Sequence, residues 1–318
     1  MEQFKERFLR PCRKLTDMFP IAMLFTFALT LIGTILGMGL CNNGFFGFLG
    51  DPKLPDVSFA LQYLTFFGIW PFFFLAFILP PANRRMLRDF MPNHRGNSLL
   101  GIFLGLLGGF GLNAACVGLS VLLGDIGLEF TSFNAKSLIM LFIAVLIQSG
   151  AEEISSRQFL YEKLRRRYRS PWVAIILNAL FFGALHMGNP GANIIGVGQC
   201  VLVGLVFSLF VYYFDGLWVA IMFHTAWNYT QSIIFGCPNS GAVSGYSLFR
   251  LLGASSGPFF DPEFGVEGSV GAVVFLAALF VALIVYARVK HLPTQDLWAD
   301  AKEAQPDKAE HKPAHMAS

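Results

Sequence analysis

Charge is what this sequence has least of. Only 14% of its 318 residues are Asp, Glu, Lys or Arg, against roughly a quarter in a soluble globular domain. So few charges leave too little polar surface to coat a water-soluble particle of this size. Cysteine is sparse as well. The five thiols show no metal-type spacing and no disulfide framework. Cys116 and Cys200 fall inside apolar runs and read as inert core residues, whereas Cys41 and Cys237 fall in loops and leave one bridge open. There is no internal repeat and no sign of a second domain. A cleavable leader is not expected either. The first apolar run, after Lys5, Arg7, Arg10, Arg13 and Lys14, is too long for a signal core and lacks a small-residue cleavage site, so it reads as a retained span.

What the sequence does have is apolar runs, at about 20–40, 59–80, 98–124, 136–160, 171–187, 194–214, 217–235 and 268–288. Each approaches the ~20 residues that a helix needs to cross a ~30 Å hydrocarbon core. None alternates apolar with polar as barrel strands do. The expectation is an all-α, polytopic transmembrane bundle of about eight spans. It divides into a basic N-terminus over 1–19, a helical membrane domain over 20–288 with its chemical core at about 136–235, and a polar, disordered tail over 289–318.

Basic residues collect in alternate loops: Arg84, Arg85, Arg88 and Arg95 after the second span, Lys163 to Arg169 after the fourth, Arg288 and Lys290 after the last. By the positive-inside rule both termini are then cytoplasmic, as in a bacterial inner membrane. The arginine run 165–169 reads as a topology signal in contact with anionic lipid, not as a nucleic-acid site. The Phe-rich runs, such as 72–74, read as packing or lipid-facing residues.

Three spans break the apolar rule. The fourth holds Gln148, Ser149, Glu152, Glu153, Ser156 and Arg157; the fifth holds Asn178 and His186; the seventh holds His224, Asn228 and Gln231. A charge at the bilayer centre costs at least ~2.5–3.5 kcal/mol, so such residues face the bundle interior and mark a site. Helical spacing puts Glu153 with Arg157, Glu152 with Gln148 and Ser156, and His224 with Asn228 on common faces. Glu152 and His186 each lie 17 residues from Arg169, so an antiparallel hairpin would hold them level. Taken singly these sets also have bland readings: a structural ion pair, an interfacial histidine, interhelical hydrogen bonds. Together, a carboxylate and two imidazoles can activate water directly, or through a bound metal such as Zn²⁺. An imidazole and an amide can donate to an oxyanion. An ion- or proton-coupled transporter would use the same residue types, although no inverted repeat or paired broken helix supports one.

Three motifs sharpen this. Glu152-Glu153-Ile154-Ser155-Ser156-Arg157 resembles the Glu-Glu-x-x-x-Arg motif of the CPBP family, the CAAX proteases and bacteriocin-processing enzymes. Phe182 to His186 resembles its Phe-x-x-x-His motif, and His224 to Asn228 its His-x-x-x-Asn motif. The resemblance covers about 148–230 and implies an all-α intramembrane endopeptidase. By that resemblance Glu152 and His186 activate the water, His224 and Asn228 stabilise the oxyanion, and Glu153 and Arg157 support the site. The implied substrate is a peptide or membrane-protein tail in the bilayer, lipidated in the CAAX case. Family usage leaves Zn²⁺ open, with Glu152, His186 and His224 as its ligands. Metal-free catalysis is the favoured expectation, because neither histidine has a neighbouring acid in sequence beyond the Glu pair itself. A non-catalytic scaffold of the same fold is the remaining alternative.

Overall fold

The computed structural model describes residues 9–10 and 14–299. Cys12, most of the basic N-terminus and the tail from 300 onward lie outside them. Eight helices follow one another: α1 Phe19–Asn42, α2 Pro55–Ile78, α3 Leu99–Leu123, α4 Ala135–Arg167, α5 Pro171–Gly188, α6 Ile194–Phe214, α7 Leu217–Tyr229 and α8 Val270–Val289. Their starts are set locally. Pro20, Pro55 and Pro171 occupy first turns, where a missing N–H loses no bond. Ser98, Asn134, Asn193 and Ser269 cap α3, α4, α6 and α8 by accepting a backbone N–H three residues on.

Seven of these helices are long and apolar enough to cross a membrane. The eighth expected span, 217–235, is helical too, as α7 and a π-helical continuation Thr230–Ile234, but it does not reach their apolarity. Its His224, Asn228 and Gln231 lower its hydropathy, and it is almost wholly enclosed by protein. Two short strands, absent from the sequence reading, complete the architecture. β1 Ile126–Phe130 pairs antiparallel with β2 Phe249–Ala254, and together they form a small ribbon between loops.

Burial separates centre from periphery. In α4 and α6, 61% of the apolar window is buried, against 22% in α1 and α8. Outer faces carry exposed Leu24, Ile35, Leu104 and Val274, as a lipid-facing surface requires. The Phe-rich stretch packs inward: Phe73 and Phe77 are fully buried, and the Phe73 ring meets that of Phe159 on α4 at 5.2 Å. Helix α7 lies flush on α3 because Gly105 and Gly109 present no side chain. A Cβ on Gly109 would sit 2.2 Å from the Phe223 carbonyl oxygen.

The basic end departs from the expectation of a lipid-contacting arginine run. Arg165 and Arg166 are each only 3% exposed. Arg166 grips Asp17 with two hydrogen bonds of 2.6 Å, and Lys163 reaches the same carboxylate at 3.1 Å. Burial alone would raise the Asp17 carboxyl, but these cations outweigh it and hold it below the usual carboxylate range. The start of the expected disordered tail is packed as well. Leu297 and Trp298 are buried, Asp296 bridges Arg10 (2.5 Å) and Arg165 (3.0 Å), and the Trp298 indole N–H donates to Glu162 (2.9 Å). Apolar area and ion pairs are both available to this segment, which composition alone does not reveal.

Candidate active site

The fourth helix changes pitch where its chemistry begins. Regular α-helix runs from Ala135 to Glu153, a π-helical turn follows over Ile154–Leu160, and α-helix resumes at Tyr161. Such a bulge rotates the residues on either side of it relative to one another, and it recurs at functional sites. Just before it Glu152 faces a cavity, while Glu153 and, within the turn, Arg157 are fully enclosed.

That cavity measures about 680 Å³. Glu152, His186, His224 and Asn228 all line it, brought there by α4, α5 and α7. Gln148 lines it as well, while Phe66 and Ile69 from α2 and Phe182, Val203 and Phe207 from α5 and α6 supply apolar lining. Asn178 and Gln231 do not join them. Asn178 donates to Ser208 between α5 and α6 (3.1 Å), and Gln231 accepts from Asn113 on α3 (2.8 Å), so both tie helices together.

The two glutamates have different surroundings. Glu153 is fully buried: Arg157 Nη1 donates to its Oε1 at 3.2 Å, and His224 Nδ1 lies 2.9 Å from the same oxygen. Arg157 is further held by Ser156 Oγ (2.7 Å) and stacks on the Phe182 ring, 4.0 Å from its centroid. Glu152 remains partly exposed to the cavity. Gln148 Nε2 donates to its Oε1 at 2.6 Å; its Oε2 has no hydrogen-bond partner and lies 3.8 Å from His224 Nε2. With Nδ1 engaged by Glu153, Nε2 is the His224 nitrogen that faces Glu152. His186 is oriented differently, by the Phe182 carbonyl oxygen 2.8 Å from Nδ1. The Phe182 ring packs against both imidazoles, with centroids 4.7 Å from His186 and 6.2 Å from His224.

Both histidines thus have the kind of partner that metal-bound imidazoles use: an acid for His224 and a backbone carbonyl for His186. Neither partner adjoins its histidine in sequence, and their presence removes the expected reason against a metal. A different observation bears on the fit. Among the described residues no three His, Cys, Asp or Glu side chains converge into a metal-ligating group. As placed, the described residues do not form a ready metal site. All four described cysteines are free thiols, including Cys41 and Cys237.

One carboxylate in the cavity wall was missed. Glu267, just before α8, accepts from Trp227 Nε1 (3.1 Å), Ser240 N–H (2.9 Å) and Ser240 Oγ (2.6 Å). Burial raises its carboxyl above the usual range, although Ser240, His186 and His224 oppose the shift. Its position at the edge of the last apolar run was the one available signal, since an ionisable residue there needs a partner. The partner lies in a distant turn and could not be read from spacing.

Comparison with known proteins adds one finding. Residues 134–230 match the family model described as Type II CAAX prenyl endopeptidase Rce1-like. No curated protein and no solved structure matches the chain. The matched stretch runs from the cap of α4 to the end of α7 and holds all three motifs; α1 to α3, Glu267 and α8 lie outside it.

Proposed function

Because residues 134–230 match the Type II CAAX prenyl endopeptidase Rce1-like family model, we propose that the chain is an intramembrane endopeptidase of the CPBP type and that it hydrolyses a peptide bond with a water activated by Glu152. The observation that carries this reading is the pairing at His224: Nδ1 on Glu153 (2.9 Å), Nε2 towards Glu152 (3.8 Å), and a Glu152 Oε2 that no protein group satisfies. A general base must reach its proton directly or through one water. A water beside Glu152 Oε2 and His224 Nε2 meets that requirement.

The steps follow. Glu152 takes a proton from water as the oxygen attacks the scissile carbonyl carbon. The resulting oxyanion accepts hydrogen bonds from Asn228 Nδ2–H and, when it is protonated, from His224 Nε2–H. The C–N bond then breaks, and the proton held by Glu152 passes to the departing nitrogen. His186, which lines the same cavity, assists in orienting the water. Arg157 and Glu153 hold the α4 face and the His224 ring. The apolar lining of Phe66, Ile69, Val203 and Phe207 in the same cavity as these polar groups suits an amphiphilic substrate, and we assign it a C-terminal peptide that carries a lipid, as in CAAX processing. The basic end of the bundle faces the cytoplasm in this reading.

The test is an internally quenched, farnesylated CAAX-type peptide added to the purified protein in proteoliposomes. Wild type is expected to cleave it, and Glu152→Gln, which keeps shape but cannot take the proton, is expected to abolish turnover. Cleavage is expected to survive a strong chelator. Full activity in Glu152→Gln would remove the proposed base. Stoichiometric zinc that is lost in His186→Ala, together with loss of activity on chelation, would replace the metal-free chemistry.

A further inference from the structure

Glu152 is the end of a hydrogen-bond chain that runs out of the family-matched segment. Gln148 Nε2 donates to Glu152 Oε1 at 2.6 Å. Gln148 Oε1 accepts from Ser149 Oγ (3.1 Å) and from Asn228 Nδ2 (3.3 Å). Asn228 Oδ1 in turn accepts from Asn239 Nδ2 at 3.2 Å. Every amide in the chain points the same way.

The carboxylate fixes that direction. An ionised carboxylate only accepts, so Gln148 must turn its NH₂ towards Glu152. Its carbonyl oxygen then faces Asn228, which must answer with its own NH₂. The Asn228 oxygen is therefore directed away from Gln148, where it needs a donor. Asn239 is that donor. With both ends held, Asn228 has one N–H on Gln148 and keeps the second for the cavity that it lines.

Asn239 is held firmly enough to do this. It opens a four-residue turn closed by two backbone hydrogen bonds of 2.8 Å between Asn239 and Ala242. The two central residues have positive φ, +47° at Ser240 and +85° at Gly241. A side chain at such a φ is uncommon and persists where its surroundings over-determine it. Glu267 supplies the restraint, accepting both the N–H and the hydroxyl of Ser240. On the other side a Cβ at Gly241 would lie 2.1 Å from the Pro190 carbonyl oxygen, so the turn abuts the segment that follows His186. Asn239 is 5% exposed.

We propose that Asn239, carried on the Glu267-latched turn 239–242, is a positioning residue that fixes the amide of Asn228 with its N–H groups turned to Gln148 and the oxyanion. The inference rests on the protease reading above. It adds to the site a residue and a latch that no motif contains.

The experiment measures kcat and KM with the farnesylated quenched peptide in proteoliposomes, and thermal unfolding in parallel. Asn239→Ala removes one anchor and is expected to lower kcat about tenfold, the equivalent of one hydrogen bond, with KM changed less than about twofold. Asn239→Asp is expected to cost more, about 10²-fold in kcat. An accept-only group opposite the Asn228 oxygen forces that amide to turn over, and the conflict then passes through Gln148 to Glu152. In an Asn228→Ala background both substitutions are expected to have no further effect on kcat, because the amide they act on is gone. A merely structural role would instead lower the melting temperature and add to the Asn228→Ala loss. Unchanged kcat in both variants, or losses that persist in the Asn228→Ala background, would overturn the proposal while wild-type cleavage left the protease reading standing. A wild type that cleaves no peptide would overturn both.

Discussion

At the scale of single residues the site depends on two adjacent glutamates with different neighbours. Consecutive residues on a helix point about 100° apart, and both glutamates lie in the regular α-helical stretch just before the π-helical turn. Glu152 lines the cavity and keeps one carboxylate oxygen without a hydrogen-bond partner, while Glu153 is sealed in with Arg157 and His224. The spacing in the sequence assigns Glu153 to Arg157 alone, which makes it a minor support. The 2.9 Å contact with His224 Nδ1 gives it a larger part, because it sets the ring orientation and the nitrogen presented to the water. Glu153→Gln is therefore expected to lower kcat by at least about 10², within reach of what a displaced tautomer costs in hydrolytic triads. Asn228→Ala and His224→Ala are each expected to cost about 10²–10³ in kcat. For Asn228→Ala, KM should change far less, since a bond formed only in the transition state does not help bind the ground state. Parallel kcat and KM measurements on the quenched peptide check all three. A loss confined to KM would remove the oxyanion role.

At the scale of elements, the position of α7 matters most. Alone among the eight helices it falls short of the apolar length that crosses a membrane, yet it carries two of the four cavity residues proposed to act. Its own sequence would not hold it in a bilayer, so neighbours must enclose it. Helix α3 does this through Gly105 and Gly109, whose missing side chains let the Val219 and Phe223 backbone approach. Gly109→Leu is expected to force α3 and α7 apart, because a side chain there meets backbone and not a movable group. The expected outcome is a lowered melting temperature in detergent together with loss of cleavage. Gly111→Leu, on the same helix with open space around it, serves as the matched control and should retain both.

At the scale of the whole molecule, the basic end is knotted by charge. Segments far apart in sequence meet there: Asp17 with Lys163 and Arg166, Arg10 and Arg165 with Asp296, Trp298 with Glu162. The sign of the pH dependence follows from Asp17. Its carboxyl is held below the ordinary value by Arg166 and Lys163, so folding favours its ionised form. That contribution is complete above the unfolded value of about 3.9 and is lost as pH falls from there through the lower folded value. Asp17→Asn removes the buried carboxylate that Lys163 and Arg166 share and is expected to cost about 3–5 kcal/mol of stability near neutral pH. The deficit should shrink in acid, where the wild-type carboxyl is protonated as well. Thermal unfolding of both proteins across an acid pH series checks this; a constant difference down to strongly acidic pH would show that Asp17 acts through packing and not through charge.

The sequence by itself determined that the chain is a helical membrane bundle, and which polar residues within its spans are kept from the lipid. Runs of about 20 apolar residues have one stable form in lipid, and a carboxylate or imidazole within such a run cannot face the hydrocarbon. Glu152, His186, His224 and Asn228 were legible for that reason, and they line one cavity. Periodicity also gave the Glu153–Arg157 pair, since i and i+4 are neighbours on any helix. Only the tertiary structure decided the contacts between elements. Glu153 on His224, Asn239 on Asn228, Glu267 on Ser240 and Asp17 on Arg166 span from 11 to 149 residues. Such pairs depend on how helices rotate and how loops close, and helical periodicity fixes a side chain's face on its own helix without saying which partner that face will meet.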